Sequence, residues 1–140
     1  MFNVVLGVIG NDIHVVGNKI IAEALKNRGF RVVNLGTNNK PEYFVDAAIE
    51  VNAHAVLIAS LNGEGEIWCR DIRARFQKSE MPRIILYAGG NLIVGDKTHS
   101  EVENIYKSYG FDRIFYKKTD LDNMMDLLKQ DLSNGSSSKR

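Results

Sequence analysis

The sequence lacks most features that would place it outside the ordinary globular proteins. It has one cysteine, Cys69, which excludes an intrachain disulfide and a cysteine-based metal cluster. Its 18 basic and 17 acidic residues nearly cancel, so there is no electrostatic case for nucleic-acid binding. No secretory leader and no bilayer-spanning apolar run are found, so we expect a cytoplasmic protein that binds neither nucleic acid nor membrane.

Phosphate-binding loops are also missing. Several of the 12 glycines follow apolar segments, but neither GxGxxG nor GxxxxGK[ST] occurs there. This excludes a nucleotide-dependent enzyme of the dinucleotide-binding or P-loop type. The sequence contains no internal repeat.

What the sequence does contain is a regular alternation of strand and helix patterns. Apolar runs predict strands at 3–9, 31–35, 55–59, 83–88 and 112–116. Helical periodicity predicts helices near 17–29, 41–53, 65–79, 99–109 and 120–132. This order is typical of βαβ units. It predicts an α/β protein with a doubly wound, five-stranded parallel sheet of the flavodoxin-like (Rossmann-like) type, in strand order 2-1-3-4-5.

The length of the chain suits one domain, which we expect over residues 1–132. Residues 133–140 lack apolar side chains, and this composition predicts a disordered tail. Cys69 is expected in the core or at its boundary. His54 and His99 lie in polar surroundings and are expected to be solvated loop residues.

The segment from Gly10 to Gly17 separates the first strand from the first helix, and the chain is organised around it. In extended backbone, residues two apart point the same way, so Asp12 can accept a hydrogen bond from one imidazole nitrogen of His14. The other nitrogen is then left for a metal, with the carboxylate fixing the tautomer. Taken alone, the same residues also fit a helix cap followed by a loop histidine that faces water.

Two later motifs follow apolar strands at the same predicted edge, where open α/β sheets bind their ligands. Ala59-Ser60-Leu61 comes after the third predicted strand, and Gly89-Gly90 comes after the fourth. Small residues leave room, and paired glycines permit close backbone approach. Taken alone, the stretch from Ser60 to Glu66 fits a plain loop whose acidic residues, Glu64 and Glu66, suit a helix N-terminus, and the glycine pair fits a simple turn.

Together, these motifs form an ordered pattern of Asp12-x-His14-x-x-Gly17, Ala59-Ser60-Leu61 and Gly89-Gly90. The pattern resembles that of cobalamin-binding domains of the base-off, histidine-on type. The stretches at 5–10, 16–20, 32–36, 65–67 and 89–95 are similar to the small (sigma) subunit family of glutamate mutase, also called methylaspartate mutase. The resemblance covers roughly residues 3–132.

The resemblance implies a set of cofactor contacts. His14 is implied as the lower axial ligand of the cobalt of adenosylcobalamin, and no other catalytic residue is implied in this chain. The family has a serine that touches the nucleotide tail at the position of Ala59, so the sequence departs from the pattern there. The implied cofactor-binding residues are Asn11, Asp12, Ile13, His14, Val15, Gly17, Ala59, Ser60, Leu61, Gly89, Gly90, Asn91, Leu92, Ile93, Val94 and Gly95.

The resemblance also implies a function, as the cofactor-binding subunit of an isomerase that interconverts L-glutamate and threo-3-methyl-L-aspartate by a radical mechanism. The chain is too short to hold a substrate barrel as well. A larger catalytic (epsilon-type, barrel) subunit is therefore expected, with two small and two large chains and the amino-acid substrate at the subunit interface. Two alternatives stay open: a corrinoid carrier of a methyltransferase system, and a non-enzymatic flavodoxin-like binding module.

Overall fold

A parallel sheet forms the centre of the fold. The computed structural model describes residues 2–10, 16–60, 63–93, 95–116 and 120–138. Its strands are β1 (Asn3–Val8), β2 (Arg31–Asn34), β3 (Ala55–Ser60), β4 (Ile85–Gly90) and β5 (Arg113–Tyr116). All the strand pairs are parallel, and the order across the sheet is β2-β1-β3-β4-β5. The predicted fold class and strand order are confirmed.

One or two helices follow each strand. They are α1 (Val16–Asn27), α2 (Pro41–Val51), α3 (Gly65–Trp68), α4 (Ile72–Gln77), α5 (His99–Ser108) and α6 (Leu121–Ser138). The prediction of one helix at 65–79 is wrong, because the chain turns between α3 and α4. Ile72 donates its backbone N–H to the oxygen of Cys69 at 3.2 Å, which closes a tight turn. The turn lets Trp68 pack beside Gly10 while Ile72 stays buried in the core.

Each face of the sheet has its own apolar core. Adjacent strand residues point to opposite faces, so Val56 and Ile58 of β3 belong to one core and Leu57 to the other. Helices α2, α4 and α5 pack on the first core, which also contains the buried Cys69. Helices α1 and α6 pack on the second, which we call the α1/α6 face.

Strands β3 and β4 run further toward the carboxyl edge of the sheet than the sequence predicts. Ala59 pairs with Gly89 and Ser60 with Gly90 inside the ladder, so the glycines and Ser60 do not follow the strands. Gly89 also pairs with Phe115 of β5. Glycine disfavours strands, but pairing on both sides of β4 overrides that preference. The predicted ends at 59 and 88 are therefore wrong.

Helix α6 extends past the predicted domain boundary. The sequence predicts a helix end at 132 and a disordered tail from 133, whereas α6 continues to Ser138. Leu132 is buried, but Ser133 and Asn134 are exposed, so burial does not explain the extension. Propagation adds one backbone hydrogen bond per residue without a new nucleation cost, which accounts for the helical backbone of 133–138. Residues 139–140 lie outside the described part of the chain.

The two remaining histidines differ in their surroundings. His54 is half-buried and is not the solvated loop residue that was predicted, since its Nδ1 accepts the backbone N–H of Asn3 at 3.0 Å. Its ring lies edge-on to the ring of Phe2, with 5.2 Å between the ring centroids. His99 is exposed, as predicted, but it begins α5 behind the capping residue Thr98.

Candidate functional site

The segment that carries the predicted axial ligand lies at the carboxyl end of β1, between Val8 and the start of α1 at Val16. Seven of the predicted site residues lie outside the described residues: Asn11, Asp12, Ile13, His14, Val15, Leu61 and Val94. Their predicted roles remain predictions. The structure describes both ends of the first segment, which are Gly10 and Gly17.

Gly10 has a conformation and surroundings that suit only glycine. Its φ is +80°, which other residues rarely adopt. A Cβ at this position would lie 2.6 Å from two atoms of the Trp68 indole, so any side chain would have to displace that ring. Trp68 therefore restricts the path by which the chain enters the His14 segment. No sequence pattern had linked Trp68 to this site.

A cavity of about 80 Å³ lies on the α1/α6 face of the sheet and reaches Gly17 at the end of that segment. Strands β1, β3, β4 and β5 form its floor, and α1 and α6 form its walls. Only Asn18 and Tyr87 among the described lining residues have polar side chains, so the cavity suits an apolar group. The lining residues are Leu6, Gly17, Asn18, Ile21, Leu57, Ile58, Ala59, Tyr87, Ala88, Gly89, Gly90, Phe115, Leu121 and Met124.

Four of the predicted cofactor-binding residues meet at this cavity, namely Gly17, Ala59, Gly89 and Gly90. They come from three separate parts of the chain, and strand pairing places Ala59 directly beside Gly89. Among the described residues, a Cβ on Gly89 would meet only the backbone oxygen and Cβ of Phe115, at 3.7 and 3.9 Å. The small residues at these positions therefore leave open space above the sheet.

Ser60 lies on the opposite side of the sheet from the cavity. Adjacent strand residues alternate in direction, so Ala59 lines the cavity and Ser60 points into the other core. Ser60 is fully buried, and its Oγ accepts the backbone N–H of Gly65 at 2.9 Å. The hydroxyl thus anchors the start of α3, and position 59 is the one that faces the cavity.

The predicted segment after β4 is divided between core and surface. Leu92 and Ile93 are buried in the core opposite the cavity. The backbone oxygen of Leu92 accepts the hydroxyl of Tyr106 at 2.5 Å, which ties the segment to α5. Asn91 and Gly95 are exposed. The side chains of Leu92 and Ile93 therefore hold the segment in place, and neither Asn91 nor Gly95 is among the described residues that line the cavity.

Tyr87 forms part of the cavity floor and is held by a charged pair. Its hydroxyl donates to Asp131 of α6, and Arg113 of β5 donates from Nε and Nη2 to the same carboxylate at 2.7 and 3.0 Å. Burial, followed by the neighbouring carboxylate, raises the pKa of Tyr87, while the Arg113 hydrogen bonds lower the pKa of Asp131. The phenol therefore stays protonated with its hydroxyl occupied, and its ring packs beside Phe115 at 5.4 Å between centroids.

Asn18, in the first turn of α1, is the other lining residue with a polar side chain. It is 1% exposed, and its Nδ2 donates to Oδ1 of Asn34 at 2.7 Å. Its Oδ1 has no hydrogen-bond partner among the described residues. The lining therefore fits a ligand that combines an apolar ring with at least one hydrogen-bond donor.

The part of the chain that the structure describes holds no group of three or more His, Cys, Asp or Glu side chains able to bind a metal ion. Within the same residues, no helix combines the length and the apolar character needed to cross a bilayer.

Solved structures share this fold. A cobalamin-binding protein from Desulfitobacterium hafniense matches with a TM-score of 0.74 over 92% of this chain and 58% of that protein, at 19% identity. The monomethylamine corrinoid protein of Methanosarcina barkeri matches with a TM-score of 0.66 over 90% of this chain and 56% of its own, at 18% identity. At these identities the similarity concerns the fold alone, and the chain spans little more than half of either protein.

Curated relatives are much more similar in sequence. The glutamate mutase sigma subunit of Carboxydothermus hydrogenoformans is 49% identical over 93% of this chain and 95% of that subunit. The sigma subunit of Clostridium cochlearium is 44% identical over the same shares of both chains. The model of the B12 binding domain family matches residues 2–113. The chain therefore belongs to the B12 binding domain family and, within it, to the glutamate mutase sigma subunits, which are the cobalamin-binding subunits of an isomerase.

Proposed function

We propose that this chain holds adenosylcobalamin across the carboxyl edge of its sheet, with His14 as the lower axial ligand of cobalt and the displaced nucleotide tail in the cavity. The cavity is the observation that carries the proposal. It lies at the end of the His14 segment, and small and apolar residues of α1, β3 and β4 line it. When a histidine takes the lower position on cobalt, the nucleotide tail needs another place in the protein, and this cavity offers one.

The lining of the cavity suits the base of that tail. Dimethylbenzimidazole is flat and apolar, and the rings of Tyr87 and Phe115 offer it aromatic contacts. Gly17 and Gly89 let a flat ring approach the backbone closely. With Ala59 in place of the family's serine, one neutral hydrogen bond is missing, which is worth about 0.5–1.5 kcal/mol net. The apolar contacts remain, so we expect binding in spite of this change.

Asp12 is proposed to orient His14. A carboxylate that accepts one imidazole N–H leaves the other nitrogen for cobalt and increases its basicity. Removing such a partner costs about 10- to 100-fold in affinity or activity, and this is the effect that we expect of Asp12→Asn. The packing of Trp68 against Gly10 supports the proposal, because it restricts how the chain enters this segment.

The reaction needs a second chain. When bound, adenosylcobalamin would supply the radical chemistry of the reaction. L-Glutamate carries three charged groups, and none of the described side chains that line the cavity is charged, so the amino acid does not bind there. Sigma subunits have a larger partner, and we place the substrate at the interface with it, in an assembly of two small and two large chains. The cytoplasmic location remains a prediction.

The test is electron paramagnetic resonance of the purified chain, labelled with nitrogen-15 histidine and loaded with cob(II)alamin. A nitrogen bound to cobalt splits each line, and the spin of nitrogen-15 turns the ordinary triplets into doublets. We expect doublets in the parent and in the control His99→Ala, whose exposed side chain lies on α5. His14→Ala should lose them. Triplets in the labelled parent would show that the benzimidazole stays on cobalt, and the proposal would then be wrong.

A further inference from the structure

Asn18 lines the cavity, and its side chain has a hydrogen-bond acceptor without a partner among the described residues. Its side chain is 1% exposed, and the residue is part of the cavity lining. Its Nδ2 is bonded to Asn34, whereas the described residues offer no donor to its Oδ1. Buried polar atoms in native proteins almost always have a partner, so an exception beside a cavity indicates a donor that arrives with the ligand.

The orientation of this amide is set by its neighbour. Oδ1 of Asn34 also accepts the backbone N–H of Gly36 at 2.9 Å, so the atom that faces Asn18 is an oxygen. Turning the Asn18 amide over would bring two oxygens together, which is unfavourable. Asn18 therefore keeps its amino group toward Asn34 and its oxygen for another partner.

No other side chain of the described lining offers a free acceptor. Tyr87 is the remaining lining residue with a polar side chain, but its hydroxyl donates to Asp131 and its oxygen already interacts with the Arg113 guanidinium. Oδ1 of Asn18 is therefore the one side-chain acceptor that the described lining leaves for a ligand. Such a site discriminates against ligands without a donor, because the acceptor would then stay buried and unpaired.

The chemistry of the nucleotide tail limits the donor to one kind of group. Away from cobalt, dimethylbenzimidazole offers a nitrogen acceptor and C–H groups, and the phosphate offers acceptors only. The linker to the corrin also has an amide N–H, but cobinamide keeps that linker, and within the nucleotide itself the ribose hydroxyls are the donors. We propose that Oδ1 of Asn18 accepts a hydrogen bond from a ribose hydroxyl, so that the chain selects corrinoids with a complete nucleotide tail. This inference rests on the proposed placement of the tail in the cavity.

The test compares aquocobalamin with aquocobinamide, which keeps the corrin and its amides but lacks the base, ribose and phosphate. Affinities are measured by absorbance titration for the parent, Asn18→Leu and Asn34→Ala. Both variants break the bond between Asn18 and Asn34, but only Asn18→Leu removes the acceptor. We expect Asn18→Leu to bind cobalamin about tenfold more weakly, with cobinamide affinity nearly unchanged. Asn34→Ala keeps the acceptor but no longer fixes the orientation of the amide, so its ratio of the two affinities should fall less than that of Asn18→Leu.

Each contrary result has its own meaning. Equal losses of both ligands in Asn18→Leu would overturn the inference, because cobinamide has no ribose. If the ratio of cobalamin affinity to cobinamide affinity falls as much in Asn34→Ala as in Asn18→Leu, loss of the acceptor is not the cause of the fall. That result would also overturn the inference. A parent that binds both ligands equally would instead refute the placement of the tail. Thermal unfolding without ligand checks the fold, and Asn18→Ala gives the same comparison if the leucine variant does not fold.

Discussion

A single methyl group added at Gly89 tests whether the cavity on the α1/α6 face is the place of the cobalamin tail. Gly89 lines the cavity and pairs with Ala59 on one side and Phe115 on the other. A Cβ there would lie 3.7 Å from the backbone oxygen of Phe115, which is an ordinary van der Waals distance. The free protein therefore accommodates Gly89→Ala, while the methyl group occupies space that the ligand needs.

The two consequences of Gly89→Ala have opposite signs. Where alanine can adopt the backbone conformation of the glycine, replacing glycine by alanine raises the free energy of unfolding by about 0.4–1 kcal/mol, because the unfolded chain loses conformational entropy. For a domain of this size, that raises Tm by about 1–4 °C. In the complex, forcing a methyl group into a filled slot costs about 1–3 kcal/mol, or about 5- to 150-fold in Kd. We therefore expect Gly89→Ala to be more stable than the parent but to bind cobalamin more weakly.

The assay is thermal unfolding of the ligand-free protein together with titration of aquocobalamin and aquocobinamide. Gly7→Ala is the matched control, because Gly7 lies on β1 and a Cβ there would be 3.0 Å from Phe44 and 3.1 Å from Leu35, away from the cavity. It should lower Tm and leave both affinities unchanged. If Gly89→Ala raises Tm but binds cobalamin as the parent does, the tail does not occupy this cavity.

Two substitutions and one chemical modification test other parts of the fold and site. Ala59→Ser is expected to tighten cobalamin binding by up to about tenfold and leave cobinamide unaffected, and a weaker cobalamin complex would contradict this. Asp131→Asn should lower the free energy of unfolding in urea at neutral pH, because Arg113 holds the pKa of Asp131 below its usual 3.8. This stabilisation is present at pH values above the pKa of Asp131 in the unfolded chain, and it disappears as the pH falls through the pKa of Asp131 in the folded protein. If Asp131→Asn lowers the free energy of unfolding equally at about pH 7 and about pH 2, the prediction is wrong. Burial raises the pKa of the Cys69 thiol, so a disulfide reagent should react with it only after unfolding, and prompt reaction of the native protein would argue otherwise.

The strand order could be predicted because the inner strands are buried on both faces and therefore appear as continuous apolar runs. Their ends could not. Gly89 and Gly90 extend β4 because they pair with residues of β3 and β5 that are distant in sequence. The local conformational preference of glycine contains no information about such pairing, and this preference alone predicts a loop at Gly89 and Gly90.

Sequence patterns could identify some residues that line the cavity but not others. Strand alternation alone would have found Tyr87, because it lies two residues before Gly89 and faces the same side of the sheet. Asn18 has no such signal, since a polar residue in the first turn of a helix is common. Its role depends on Asn34 and Gly36, which tertiary structure alone brings beside it.

Trp68 has a practical consequence beyond its packing. It is the only tryptophan in the sequence, and its ring lies against Gly10 at the entrance to the His14 segment. Indole emission depends on the immediate surroundings, and corrins absorb light in the range where indole emits. The indole emission of the unlabelled chain therefore comes from this one corner of the molecule, and quenching of that emission after rapid mixing can follow the arrival of the cofactor in real time.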